Sequence, residues 1–190
     1  MERPSAAGAA FARVLAGDSG AGPAARARAY AGVAICATRA DPPDVDGAKE
    51  MLTAAIAACD GNNFSTPEDV TRATAVVTLV EEALRRGVGV KPGFGDDDDS
   101  IAAEINAIKV AIEAAAAKGD GGAADARRAE LALMYFFRRR DGASAVDAAL
   151  DIVKRGDKSS GRELCVALFD AVGGEVAAKG RRRLGNLWFA

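Results

Sequence analysis

Between Ser100 and Gly156 the large apolar residues recur with the period of an α-helix, and this constrains the chain more than any other feature. Ile101, Ile105, Ile108 and Ile112 follow at steps of four, three and four. That spacing places them on one face of a 3.6-residue helix, with Glu104, Lys109 and Glu113 elsewhere on its surface. A second helix is predicted through ADARRAELALMYFFRRR, whose apolar run from Leu131 to Phe137 is too dense for a half-exposed helix and so belongs between neighbours. A third carries Val146, Ala149, Leu150 and Val153 on one face.

The rest of the chain reads in the same way. Short helices are expected over 5–16, with Phe11, Val14 and Leu15 on one side, and after Pro23, with Tyr30, Val33, Ala34 and Ala37 inward. Another over 47–59 turns Met51, Leu52, Ala55 and Ile56 inward. Thr66, Pro67 and Asp69 give a helix start, because a threonine cap, a proline preset for the first turn and a returning acidic side chain all serve orphan backbone groups. That helix continues through Val70, Ala73, Val77, Val80 and Leu84 to Gly87. Ser160 and Glu163 form a second capping box, followed by Leu164, Ala167, Leu168 and Ala171, and Gly173 and Gly174 end the segment. The turns share glycine and aspartate, but their spacing is irregular, so a succession of helical hairpins is predicted rather than a fixed repeat.

Composition sets the kind of packing. Hydrophobic residues make up 49% of the chain and aromatic residues only 5%, so much of the apolar content is alanine. Alanine favours helix but buries little area, and stability must come from helices that approach closely. The prediction is an all-α single domain over 1–190. It has seven or eight helices arranged as antiparallel hairpins in a compact bundle or short α-solenoid-like stack, with a Gly/Asp-rich loop at 87–99 and a C-terminal tail at 180–190. Its expected core includes Ile105, Ile108, Ile112, Leu133, Phe136, Leu150, Val153 and Leu168. In architecture alone this resembles α-helical bundles and HEAT or armadillo-like stacks, which fixes no function.

The chemistry is constrained chiefly by what is missing. The chain contains no histidine, which removes Ser-His-Asp and Cys-His catalysis, HExxH zinc sites and histidine proton shuttles. Three cysteines, Cys36, Cys59 and Cys165, stand far apart with no CxxC, giving neither a disulfide framework nor a zinc site and pointing to a reducing compartment. Gly17 to Gly20 spell GDSG, a turn here, because the protease motif it matches needs a histidine base. Asp96 to Asp99 lack the alternating ligands, glycine and glutamate of a calcium loop, and are read as a solvated acidic stretch at a helix N-terminus. Arg155, Gly156 and Asp157 spell RGD where a helix end is expected. No phosphate-cradling loop occurs. Arg13 interrupts the only signal-like segment, and no run approaches the ~18 apolar residues of a membrane span.

A net charge of -2 gives no global attraction to nucleic acid. Arginines nevertheless cluster, at 85–86, 127–128, 138–140 and 181–183. Several precede helix-ending glycines, where they complement the helix dipole and cap carbonyls. Arg181, Arg182 and Arg183 have no such explanation and precede Trp188 and Phe189, and the reading preferred for them is a docked C-terminal tail.

The expected function is a non-enzymatic, intracellular protein-binding or assembly module, cytoplasmic, with the nucleus left open. It would have no catalytic residue, cofactor, metal or membrane association, and would act with a protein partner or by self-association. The competing expectation is a structural nucleic-acid-binding protein, such as a helical nucleoprotein or coat-like subunit. In that reading Arg138, Arg139, Arg140, Arg181, Arg182 and Arg183 converge with Tyr135 and Trp188 on one face.

Overall fold

The computed structural model describes residues 6–16, 20–60, 66–90, 98–155 and 158–189. Gly17 to Ser19 of the GDSG turn, most of the 60–63 turn, Asp96 and Asp97 of the acidic run, and Gly156 and Asp157 of the RGD triplet lie outside the described residues. The protein is all-helical. Its α-helices are α1 (Ala6–Leu15), α2 (Pro23–Thr38), α3 (Val45–Asp60), α4 (Glu68–Arg85), α5 (Asp98–Ala117), α6 (Gly121–Met134), α7 (Gly142–Arg155), α8 (Lys158–Val172) and α9 (Gly174–Trp188). A five-residue π-helical segment, Tyr135–Arg139, continues α6. Among the described residues there are thus nine α-helices, against the seven or eight expected.

The additional helix is α9. Residues 180–188, expected in a tail, continue a helix that restarts at Gly174 after two glycines of positive φ, Gly173 at 69° and Gly174 at 58°. Gly180 and Gly185 lower the intrinsic helix propensity of this stretch. Packing outweighs propensity here, because a side chain at Gly180 would run into the Phe169 ring of α8. The bare backbone therefore lets α9 lie directly on α8.

Contacts divide the chain into two compact units, Met1–Glu81 and Glu82–Ala190. The division falls within α4 rather than in the 87–99 loop, where glycine and aspartate make the most obvious break in the sequence. In the first unit, α2 and α3 pack through Ala27, Ala31, Ala34, Ala48, Leu52, Ala55 and Cys59, joined by Val70, Ala73 and Val77 of α4. Tyr30 and Met51, expected inward, are only half-buried, and Ile56 is 42% exposed. Small residues occupy the seam because only they let two helix backbones approach closely.

In the second unit α7 is central, packing against α6, the π segment, α8 and α9. Seven of its residues are buried, from Ala145 to Val153. Of the expected core, Ile105, Leu133, Leu150, Val153 and Leu168 are buried. Ile108, Ile112 and Phe136 are half-exposed. For the isoleucines the reason is position: α5 packs chiefly on α6, so only the first two turns of its isoleucine face are covered.

The turns follow simple chemistry. Gly87, with φ 72°, ends α4, and the Val88 amide returns to the Ala83 carbonyl at 2.8 Å. This is the six-to-one bond of a Schellman ending, and the buried Val88 gives it its apolar contact. Gly119 does the same for α5, after which an oxygen of Asp120 accepts from the Ala123 amide at 2.9 Å and caps α6. At the end of the π segment the left-handed position is filled by Arg140, with φ 56°. The Ser160–Glu163 capping box is displaced, since α8 begins two residues earlier, at Lys158.

Candidate functional site

The two arginine triplets lie in different settings, and each arginine has its own neighbours. Arg138 is largely buried, with its guanidinium 3.7 Å from Glu104 of α5. Within α9, residues two apart are separated by about 200° around the axis, so Arg181 and Arg183 address different neighbours. Arg181 pairs with Asp170 of α8 at 2.6 Å and lies over the Phe169 ring, while Arg183 pairs with Asp147 of α7. Arg139, Arg140 and Arg182 are exposed and have no carboxylate within 4 Å among the described residues. Among the described residues no aromatic ring is shared between the triplets. Lys109 lies over Tyr135, and Arg162 of α8 lies over Trp188, 5.2 Å from the ring centroid.

That second contact belongs to an uncovered apolar patch. Trp188 is 38% exposed, Phe189 91% and Val166 43%. Val166 follows Arg162 by one helical turn of α8, so the cation on the indole and the apolar side chain share a face. Arg162 was not singled out by the sequence. It stands 26 residues from Trp188, and no local pattern signals a pairing over that distance.

An open cleft of about 380 Å³ lies where α5, the π segment and the start of α7 meet. Its walls carry Ala102, Ile105, Asn106 and Lys109 of α5, Tyr135 and Arg139 of the π segment, and Asp141 and Ser144. Tyr135 lies beneath Lys109, whose ammonium is 5.9 Å from the ring centroid. Asp141 caps α7, one oxygen accepting from the Ser144 amide at 3.0 Å and the other from the Ser144 hydroxyl at 2.6 Å. Those two bonds, with the nearby Arg139 charge assisting, hold the Asp141 carboxyl below its ordinary pKa against the opposing effect of burial. Of the lining residues, only Tyr135 and Arg139 had been singled out from sequence as candidate contacts, for a different role. The π turn that presents them has no sequence signature.

The second unit holds one cysteine, the buried Cys165. Burial pushes the Cys165 pKa up to about 12, despite an opposing contribution from Arg183. Among the described residues no cluster of histidine, cysteine, aspartate or glutamate could hold a metal ion. No described helix is long and apolar enough to cross a membrane.

Compared with known proteins, the chain matches no family model, and neither a curated protein nor a solved structure matches it significantly.

Proposed function

We propose that this chain is a non-enzymatic protein-binding or assembly module, and that the α8–α9 surface bearing Arg162, Val166, Trp188 and Phe189 is where it meets its protein partner. The observation that carries the reading is the nearly full exposure of Phe189 directly beside the half-covered Trp188. Tryptophan and arginine are the residues most often found at the energetic centre of protein interfaces, where an aromatic anchor enters a pocket and a cation pairs at its edge. The matching partner presents an apolar pocket bordered by carboxylates. The absence of histidine and the high pKa of Cys165 support a role in binding rather than in general acid–base or thiolate catalysis.

The arginine pairings favour this reading over the nucleic-acid one. Arg138, Arg181 and Arg183 already face Glu104, Asp170 and Asp147, leaving fewer charges to neutralise phosphates.

Co-purification of the tagged chain from its source cells tests the proposal, with the double variant Trp188→Ser/Phe189→Ser run in parallel. A protein recovered by the wild type and lost with the double variant, at unchanged helicity, is the expected result. Equal recovery by both rejects this surface. Retention on DNA or RNA at low salt, falling steeply as salt rises, would establish the nucleic-acid reading in its place.

A further inference from the structure

We infer that the cleft between α5, the π segment and α7 is a binding site for a small organic anion, an aromatic carboxylate in particular. It is a second site, made of residues separate from the α8–α9 surface and independent of the function proposed for that surface. Its volume of about 380 Å³ lies at the lower end of the range for small-molecule pockets.

The charge of the lining selects an anion. Lys109 and Arg139 both line the cleft, and neither has a carboxylate within 4 Å among the described residues. The one carboxylate in the wall, Asp141, is occupied at both oxygens by Ser144. Two cations against one engaged anion leave a local positive excess in a chain whose net charge is negative. A ligand carboxylate arriving there gains charge-assisted hydrogen bonds, which are about twice as strong as neutral ones.

The other lining groups select the body of the ligand. Ile105 and Ala102 give an apolar wall, Tyr135 an aromatic face, and Asn106 a side-chain amide able to orient a polar substituent. A benzoate-sized molecule has both the carboxylate for the cations and the flat apolar body for this wall.

Backbone geometry also marks the place. Tyr135 and Arg139 are the first and last residues of the π segment, and π turns occur often at functional sites. The segment closes on Arg140 in the left-handed region, which is unfavourable for a long side chain such as arginine. Gly87, Gly119 and Gly173 fill the corresponding positive-φ positions after α4, α5 and α8. The left-handed arginine lets the Asp141 amide close on the Tyr135 carbonyl at 2.9 Å, and with the π turn it sets the last turn that holds Arg139 at the cleft.

The test is a fluorine NMR titration of 4-fluorobenzoate with the full chain, beside the neutral isostere 4-fluorobenzamide. Binding of the benzoate is expected, with the benzamide at least about tenfold weaker. Lys109→Gln and Arg139→Gln should each weaken benzoate binding about tenfold at unchanged circular dichroism. Both side chains are exposed, so these variants leave the core intact. Ala102→Phe, which fills the cleft without altering charge, should abolish binding. The Trp188→Ser/Phe189→Ser variant should bind normally, which separates failure of this site from failure of the α8–α9 surface. Absence of benzoate binding up to about 10 mM overturns the inference, as does equal affinity for the benzamide or full affinity in both glutamine variants.

Discussion

The two units solve the same packing problem with different side chains. In Met1–Glu81 the α2–α3 seam is built mostly from alanines, Ala27, Ala31, Ala34, Ala48 and Ala55 among them. In Glu82–Ala190 the centre is Leu133, Leu150, Val153, Leu168 and Phe169. Both units set a phenylalanine ring against a glycine backbone: Phe11 of α1 meets Gly32 of α2, and Phe169 of α8 meets Gly180 of α9. Phe11 is only half-buried, whereas Phe169 is 1% exposed. An alanine seam is held by many small contacts between backbones, so no single side chain dominates it. A leucine and phenylalanine core concentrates its burial in a few residues, and each of these should matter more when lost.

The largest effect expected from this contrast is that of Phe169→Ala, at about 4 kcal/mol of destabilisation by chemical denaturation. Phe11→Ala should cost about 1–2 kcal/mol, in proportion to its partial burial. Equal losses would break the comparison.

Ion pairs give the next test. Arg128 and Asp125 lie 2.6 Å apart in α6 with side chains only 9% and 14% exposed. Arg72 and Glu68 form a similar pair in α4, but their side chains are 45% and 82% exposed. Arg128→Ala should cost about 2 kcal/mol, because a buried guanidinium, its packed stem and its ion pair to Asp125 are lost together. Arg72→Ala should cost less than about 0.5 kcal/mol, since water screens that pair.

Glycine substitutions within α9 sharpen the account of its packing. Gly180→Ala should destabilise by about 2 kcal/mol, because the Phe169 ring it would strike is enclosed and must shift. Gly185 has no atom within 4 Å of where its Cβ would stand, so Gly185→Ala should stabilise by up to about 1 kcal/mol through helix propensity. Two changes of the same chemistry, five residues apart, thus carry opposite signs.

The smallest effect at neutral pH concerns the thiols. Half-buried Cys36 should be alkylated in the native protein well before Cys165. The Cys165 pKa is raised in the folded state, from 9.0 to about 12. Below pH 9 the thiol is protonated whether the chain is folded or not, and its contribution to stability is fully present. Between pH 9 and about 12 the unfolded chain loses that proton while the folded chain keeps it, so stability falls as pH rises. Cys165→Ala should flatten this alkaline decline, as measured by denaturant midpoints across that window.

What the sequence determined by itself was local. Its 3.6-residue periodicity gave the helical class and most of the helices, because the apolar pattern along one segment fixes which face that segment must bury. Gly87 and the Gly173–Gly174 pair marked helix ends, since a positive φ there needs no tertiary partner to explain it. Ile105, Leu133, Leu150, Val153 and Leu168 were legible as core by the same periodicity. Whether a face is covered depends on neighbours, and so Ile108 and Ile112 continue the isoleucine stripe of α5 yet stay half-exposed, since α5 packs chiefly on α6.

Tertiary structure decided the rest. A glycine-containing stretch became α9 because Phe169 needed a bare backbone beside it, a requirement written 11 residues away in another helix. Arg138, Arg181 and Arg183 have carboxylate neighbours on α5, α8 and α7, Glu104, Asp170 and Asp147, that no local pattern pairs with them. Of the candidate contact residues, Trp188 was visible in the sequence as the only tryptophan, but its cation, Arg162, was not. The cleft is assembled from three segments between Ala102 and Ser144, and neither its volume nor its surplus of positive charge exists until those segments pack. Periodicity is a property of neighbours along the chain, whereas sites are made by neighbours in space.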